Sequence, residues 1–432
     1  MLEILEWNNL DAAARKKALA RASGGAGDVS ETVRGVLARV KAEGDAALRA
    51  LTAKFDGFDG PVAFVDEKKI QAALDGLSPP LRAALEESIS NVTAFHRAEK
   101  PAEVFVETRP GVRCRLLWRA IERVGLYIPA GSAPLFSSLI MNAVPATIAG
   151  GRERYLCSPP RKDGSVDPVI LATASLCGIT RVLPVGGAQA IAAMAYGTET
   201  APKVDKIFGP GNAYVTFAKQ LVAEDPEGAS IDMPAGPSEV MVLAAGKANP
   251  EWIAADLLAQ AEHGADSQAL FLTVDRALAE EVRKATLRQV EKLARRAVAE
   301  KALAWSRILV MPDLEACFQV ANEYASEHLI LMDGEKENVP EEWIAKVQNA
   351  ASVFCGAFSP ETAGDYASGT NHVLPTCGHA RAYGGLSVYS FMKTMTVQSL
   401  SEVGLRVLAP TLTTMAEAEG LGAHAEAVRV RL

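Results

Sequence analysis

The residues best suited to metal or proton chemistry lie towards the carboxyl end of this 432-residue chain, where five of its six histidines fall. Gln260 and His263 are three positions apart near the predicted end of an amphipathic helix, so their side chains project from one face and can reach a single ion. With Asp365 and His424 they form a set of nitrogen and oxygen donors that suits Zn²⁺, Co²⁺ or Mn²⁺. The position of His263 equally fits a favourable interaction with a helix carboxyl terminus, because that end stabilises a cation.

An adjacent acid and imidazole, Glu327 and His328, indicate acid–base chemistry because the two groups can divide proton transfers between them. We place the pair at the end of a helix, since neighbouring residues within a helix point apart. The pair by itself also fits a solvated helix surface. A polar loop at residues 364–376 adds His372 to the candidates, and Glu419 stands five positions before His424.

Two short glycine turns, residues 186–189 (GGAQ) and 209–212 (GPGN), each follow a predicted strand and open a predicted helix. Such a turn presents free N–H groups and the positive end of the helix to an anion such as a pyrophosphate. Glycine could instead merely shorten the turn, and no complete GxGxxG motif is present. The proline- and serine-containing loop at residues 127–138 offers hydroxyl groups to a ligand.

The elements that must position these residues change in character along the chain. Apolar spacing predicts that residues 1–120 are mostly helical, with helices at 30–55 and 79–100, and a flexible glycine cluster at 23–27. From residue 123 onward short apolar strands alternate with helices, which indicates parallel sheets covered by helices. One long charged helix is predicted at 276–301.

Composition excludes several classes of function. The 44 basic and 52 acidic side chains give a net charge of −8, which argues against nucleic acid or an anionic membrane as the main partner. No signal peptide or membrane-spanning stretch is recognisable, so a cytoplasmic location is predicted. The six cysteines form no CxxC pair and indicate neither a zinc ribbon nor a disulfide framework.

The motifs taken together resemble those of the histidinol dehydrogenase family. The resemblance extends from Glu122 to the end of the chain, in the order of the family's motifs. It depends on residues 127–150, 205–219 (DKIFGPGNAYVTFAK), 231–240 (IDMPAGPSEV), 254–267, 321–328, 364–376 and 419–428.

The resemblance implies a function for each candidate residue. Zn²⁺ would be held by Gln260, His263, Asp365 and His424, which would also contact the substrate. NAD would contact Tyr127, Gln189 and Asn212, and the remaining substrate contacts would be Ser238, His328, His372 and Glu419. The implied reaction oxidises L-histidinol to L-histidine in two NAD-dependent steps, with His328 as general base and Glu327 activating the water that adds to the intermediate aldehyde.

The implied fold is α/β, with two incomplete Rossmann-like domains that have parallel-sheet cores. Small N- and C-terminal segments would be exchanged in a homodimer whose active sites are shared. The expected division is an arm at 1–25, a larger domain at 26–126 and 238–386 with the zinc and catalytic residues, an NAD-binding domain at 127–237, and a dimerisation segment at 387–432.

Three other functions remain open from the sequence. A dehydrogenase of the same superfamily acting on another small alcohol, such as a sulfonated diol, would use the same framework. A zinc hydrolase with Glu327 as base would need no NAD. A non-catalytic metal-binding scaffold would show no turnover at all.

Overall fold

The computed structural model describes residues 2–22, 29–130, 134–234 and 236–432. The predicted glycine cluster at 23–27 and residues 131–133 of the predicted ligand loop lie outside these ranges. The strands are β1 (Glu3–Glu6), β2 (Val104–Arg109), β3 (Val112–Ala120), β4 (Arg123–Tyr127), β5 (Glu153–Cys157), β6 (Val182–Leu183), β7 (Lys206–Phe208), β8 (Ser230–Ile231), β9 (Glu239–Ala245), β10 (Gln268–Thr273), β11 (Arg307–Val310), β12 (His328–Asp333), β13 (Ser352–Cys355) and β14 (Met392–Leu400).

The helices cover the faces of the sheets and form the C-terminal segment. They are α1 (Ala12–Ala18), α2 (Ser30–Glu43), α3 (Asp45–Asp56), α4 (Glu67–Asp75), α5 (Pro79–Ala98), α6 (Phe136–Ala149), α7 (Pro168–Leu176), α8 (Gly187–Tyr196), α9 (Ala213–Glu224), α10 (Pro250–Ala261), α11 (Arg276–Val290), α12 (Arg296–Trp305), α13 (Leu314–Tyr324), α14 (Glu341–Lys346), α15 (Glu361–Tyr366), α16 (Glu402–Ala418) and α17 (Gly422–Arg429). None of them is long and apolar enough to cross a membrane, as far as the described residues extend.

Two parallel sheets share one strand order. The five-stranded sheet runs β6-β5-β4-β7-β8, and the six-stranded sheet runs β1-β11-β10-β9-β12-β13. If β1 is set aside, the strand that comes first in the chain lies at the centre of each sheet. The second and third strands in chain order lie on one side of it, and the fourth and fifth lie on the other. This is the order of a Rossmann sheet without its sixth strand, so the predicted α/β class with incomplete Rossmann-like sheets is confirmed.

Apolar cores lie on both faces of each sheet. Helices α2, α3, α8 and α9 contribute to one core on the five-stranded sheet, and residues of α5, α6 and α7 contribute to the other. The six-stranded sheet packs against α10, α11 and α12 on one face and against α13 and α14 on the other. The four-part domain division expected from the sequence stays a prediction.

A third, antiparallel sheet lies apart from this pattern. It has the order β14-β3-β2, and β14 pairs with β3 along its whole length from Met392–Ala120 to Leu400–Val112. All six residues of β2 are exposed, so this sheet has a face that the single chain does not cover.

The first 120 residues are mostly helical, as predicted, and also contain strands β1, β2 and β3. Other predictions about the elements are wrong. His328 begins a strand, with Glu327 just before it, and the pair does not end a helix, because α13 stops at Tyr324 and Ala325 adopts a left-handed conformation with φ 54°. The predicted helix at 30–55 is broken at Gly44, whose φ of 55° favours glycine. The predicted helix at 276–301 is two helices, α11 and α12.

Candidate active site

The amino edge of the six-stranded sheet gathers the polar residues of the candidate site. His328 and Glu239 are the first residues of β12 and β9, and Val240 of β9 pairs directly with His328. Because the strands are parallel, their first residues share one edge of the sheet. Helix α10 leaves the opposite end of β9 and returns to this edge, which brings Gln260 and His263 beside His328.

His328 is the centre of the cluster. The side chain is only 3% exposed, and its Nδ1 lies 3.3 Å from the Oε1 of Gln260, 3.5 Å from the Oε1 of Glu361 and 3.8 Å from the Oε2 of Glu327. Its Nε2 lies 4.0 Å from the Oδ1 of Asp365 and has no hydrogen-bond partner among the described residues. Acceptors around Nδ1 favour the tautomer with a proton there, so Nε2 is left as the basic nitrogen.

Helix α15 supplies two carboxyl groups to the cluster. Glu361 and Asp365 are four residues apart on this short helix, so their side chains share one face. Together with His328 they offer ligand atoms that all lie within 4.8 Å of one another. Both oxygens of the fully buried Glu361 lack a hydrogen-bond partner within the part of the chain that the structure describes.

Glu327 is held by the start of β9. Its Oε2 accepts a hydrogen bond of 2.9 Å from the backbone N–H of Glu239. The carboxylate of Glu239 in turn accepts two bonds from the guanidinium of Arg21, at 2.6 and 2.9 Å, and one of 2.5 Å from the backbone N–H of Cys377. Arg21 therefore connects the amino-terminal segment to Glu239, the residue whose backbone binds Glu327.

His372 joins this cluster to the other parallel sheet. Its Nδ1 lies 2.6 Å from the carbonyl oxygen of Asp365, and its Nε2 lies 3.3 Å from the Oγ of Ser138 on α6. Because the carbonyl can only accept, the proton is on Nδ1 and the Ser138 hydroxyl donates to Nε2. Helix α6 follows β4, the central strand of the five-stranded sheet.

Burial sets the protonation of these groups. It lowers the pKa of His328 to about 3 and that of His372 to about 4. The same burial raises the pKa of Asp365 to about 6 and raises the pKa values of Glu327 and Glu361 well above their usual range. Without a bound cation the cluster therefore favours neutral imidazoles and protonated Glu327 and Glu361, whereas Asp365 loses its proton near pH 6.

The donor set fits a divalent metal ion. Neutral imidazole, a carboxylate and a carboxamide oxygen are ligands that zinc accepts, and a cation would favour the ionised form of Asp365 against the raised pKa that burial causes. The imidazole of His263 lies 3.1 Å from the amide nitrogen of Gln260, and His263 is exposed in the single chain. The candidate metal site is thus open on the side of His263.

The three predicted NAD contacts lie at the carboxyl edge of the five-stranded sheet. Tyr127 ends β4, and its hydroxyl accepts a 3.1 Å bond from the backbone N–H of Gly187 at the start of α8. Gln189, in the first turn of that helix, donates to Asp56 at 3.3 Å. Asn212 caps α9 after β7, so all three stand near the point where the strand order reverses, which is where such sheets bind ligands.

A close approach of two chain segments shapes that edge. A side chain at Gly209 would place its Cβ 2.0 Å from the carbonyl oxygen of Tyr127, and Gly209 has a φ of 117°. Only glycine fits there, so the turn at 209–212 can lie directly against the end of β4. The tightly packed turns fit a site where the backbone contacts a dinucleotide.

The structure brings together seven of the predicted metal, substrate and catalytic residues and leaves two apart. The seven are Ser238, Gln260, His263, Glu327, His328, Asp365 and His372. Glu419 and His424 are exposed, one at the end of α16 and the other on α17. No hydrogen bond or ion pair among the described residues joins either of them to the cluster.

Comparison with known proteins decides the family. The family model described as histidinol dehydrogenase matches residues 19–432. The chain belongs to the histidinol dehydrogenase family. The histidinol dehydrogenase of Xanthomonas euvesicatoria pv. vesicatoria is 50% identical over 432 residues, which cover 100% of this chain and 99% of the relative. That of Vibrio parahaemolyticus is 52% identical over 405 residues, which cover 94% and 92%.

A solved structure agrees with this family membership. The crystal structure of histidinol dehydrogenase from Elizabethkingia anophelis matches with a TM-score of 0.94 and 45% sequence identity, covering 100% of this chain and 98% of that one. The resemblance predicted from the sequence motifs is confirmed, and so is the prediction that the chain is an enzyme of the dehydrogenase class.

Sequence reasoning missed some residues of the site within this histidinol dehydrogenase fold. Glu361 follows a proline in a region without a recognisable motif, although its position one helical turn before Asp365 was a usable signal. Arg21 and Glu239 pair across 218 positions, and nothing local in the sequence indicates such a contact.

Proposed function

We propose that this chain oxidises L-histidinol to L-histidine in two successive NAD-dependent steps, with one Zn²⁺ per subunit. Family membership and the grouping of Gln260, His263 and Asp365 around His328 support the proposal. The observation that carries it is the contact of Ser138 with His372, because Ser138 lies near the start of the helix that follows β4 and His372 contacts the backbone of Asp365, a proposed metal ligand. In the proposed reaction the substrate at the metal site donates a hydride to NAD, so the two must bind next to each other.

The proposed metal ligands are Gln260, His263, Asp365 and His424 of the partner subunit. When bound, zinc would hold the amino and imidazole nitrogens of the substrate in place without exchanging electrons. The proposed NAD contacts are Tyr127, Gln189 and Asn212, and NAD would accept the hydride. Further substrate contacts are proposed for Ser238, His328, His372 and Glu419 of the partner subunit.

His328 acts as the general base in this proposal. Its Nε2 has no hydrogen bond among the described residues, and the low pKa of His328, caused by burial, keeps it unprotonated before the alcohol arrives. It takes the proton of the alcohol as hydride leaves. Glu327 then activates the water that adds to the aldehyde, and His328 assists the second oxidation.

The proposed homodimer would complete the site. The antiparallel sheet and α16 expose apolar side chains that a second copy could cover, among them Phe105 at 60%, Val403 at 64% and Met415 at 60%. Glu419 and His424 belong to the same exposed segment, and His263 faces solvent. We propose that the C-terminal segment of each subunit closes the site of the other. The cytoplasmic location stays a prediction.

The proposal is tested by NADH formation from L-histidinol. We expect turnover that a chelator removes and that added Zn²⁺ restores. Gln260→Ala should lower the bound zinc per chain measured by atomic absorption, whereas the control Glu262→Gln, two residues further along, should keep it. NADH formation from another alcohol with none from L-histidinol would contradict the substrate, and turnover without NAD would contradict the reaction class.

A further inference from the structure

Glu361 is a buried carboxyl group that the proposed chemistry does not use. Its side chain has no exposed surface, and neither oxygen has a hydrogen-bond partner among the residues described. Burying an acid in this way is unfavourable, because water would otherwise solvate it. The basic group within reach is the imidazole of His328, whose Nδ1 lies 3.5 Å from the Oε1 of Glu361.

The Nδ1 of His328 has a second possible acceptor, which is closer. The Oε1 of Gln260 lies 3.3 Å from it. The remaining neighbour, the Oε2 of Glu327, is 3.8 Å away and already accepts the backbone N–H of Glu239. The choice of partner for Nδ1 is therefore between Gln260 and Glu361.

A bound metal ion would make the oxygen of Gln260 unavailable as the hydrogen-bond acceptor for the Nδ1 of His328. A carboxamide ligates a hard or borderline cation through its oxygen, and the carboxamide oxygen of Gln260 is the atom that lies beside His328. Once that oxygen serves the metal, it is a poorer acceptor for the imidazole. The acceptor that remains beside Nδ1 is then the carboxylate of Glu361.

The geometry points to Glu361 as a positioning residue for His328: in the zinc-loaded enzyme its carboxylate accepts the Nδ1 proton, fixes the ring and leaves Nε2 as the base. This inference rests on the proposed function, in which His328 is the base and Gln260 a metal ligand. Carboxylates orient histidines in the same manner in other active sites, where they select the tautomer without taking up the proton.

A structure of the zinc-loaded protein tests the inference without any turnover. We expect an oxygen of Glu361 within about 3.2 Å of the Nδ1 of His328, the range of a hydrogen bond. A crystal structure in which Glu361 binds the metal, or in which Nδ1 keeps Gln260 as its partner, would overturn the inference. Neither result would by itself contradict the oxidation of L-histidinol.

Substitution separates a positioning role from a structural one. Glu361→Gln should lower kcat for L-histidinol about 10- to 100-fold with the KM and the zinc content unchanged. The metal-free variant should melt at the same or a higher temperature than the wild type, because an unpaired buried acid has been replaced by a neutral group. Glu361→Asp should recover part of the lost kcat.

A matched control is available on α14. Glu341 is also the first residue of a six-residue helix and also follows a proline, but it is exposed. Glu341→Gln should leave kcat, zinc content and melting temperature unchanged. An unchanged kcat in Glu361→Gln, a loss of zinc, or a melting temperature lowered in parallel with kcat would each contradict the positioning role.

Discussion

The Oγ of Ser138 and the Nε2 of His372 lie 3.3 Å apart, and this contact joins the two parallel sheets of the protein. Ser138 lies on the helix that follows the central strand of the five-stranded sheet, whereas the backbone oxygen of Asp365 fixes the other nitrogen of His372. The two sheets present different edges to this junction. The five-stranded sheet contributes its carboxyl edge, and the six-stranded sheet contributes its amino edge.

Loss of the Ser138 hydroxyl should weaken the reaction modestly. In Ser138→Ala the Nε2 of the half-buried His372 loses its donor, which costs about 1 kcal/mol and corresponds to about a fivefold lower kcat/KM for L-histidinol. The measurement is steady-state NADH formation. Ser137→Ala, one position earlier on the same helix, is the control and should change kcat/KM less than twofold. Equal effects of the two substitutions would show that the contact does not matter.

Substitutions of the acid and the imidazole should separate the two oxidations. His328→Asn should lower the rates from both L-histidinol and the corresponding aldehyde by about 10²- to 10⁴-fold, the usual contribution of a general base. Glu327→Gln should impair chiefly the aldehyde step, because only that step consumes water. Assays started separately from the alcohol and from the aldehyde measure the two effects. Loss of alcohol oxidation in Glu327→Gln with aldehyde oxidation intact would reverse the assigned roles.

The stability of the protein should depend on pH through the carboxyl group of Asp56. Burial raises the pKa of this carboxyl from 3.8 to about 6, while the amide of Gln189 opposes the shift. A raised acid pKa means that the folded state prefers the proton, so the native protein is penalised as pH rises from about 4 through 6. Asp56→Asn should therefore gain melting temperature relative to the wild type as pH rises from 4 to 6, and the gain should stay level from pH 6 to pH 8. A difference that does not grow between pH 4 and pH 6 would contradict the prediction.

Mixed dimers test whether the active site is shared. His328→Asn and His424→Asn should each be inactive alone. In a 1:1 mixture reassembled at random, half of the dimers are mixed and each has one intact site, so about a quarter of the wild-type activity should return. This holds only if His424 acts in the partner's site. If each chain formed its own site, mixing would restore nothing.

Local patterns predicted only part of this site. The positions of Gln260 and His263 at the end of a helix, and the alternation of strands and helices after residue 123, follow from apolar spacing and turn residues. The start of β12 was misplaced because a left-handed residue other than glycine, Ala325, ends α13 and gives no sequence signal. Strand β2 was missed because all its residues are exposed in the single chain, so its pattern does not alternate. Long-range partners such as Arg21 and Glu239 are set by the tertiary fold.

The most direct test of the proposed function is the stoichiometry of the products. The zinc-loaded protein is mixed with L-histidinol and excess NAD in a stopped-flow instrument, and NADH and L-histidine are quantified after limited turnover. Two oxidations within one site predict two NADH for each L-histidine, with no accumulation of free aldehyde. One NADH per molecule of substrate with the aldehyde as the product, or no NADH from L-histidinol, would contradict the proposal.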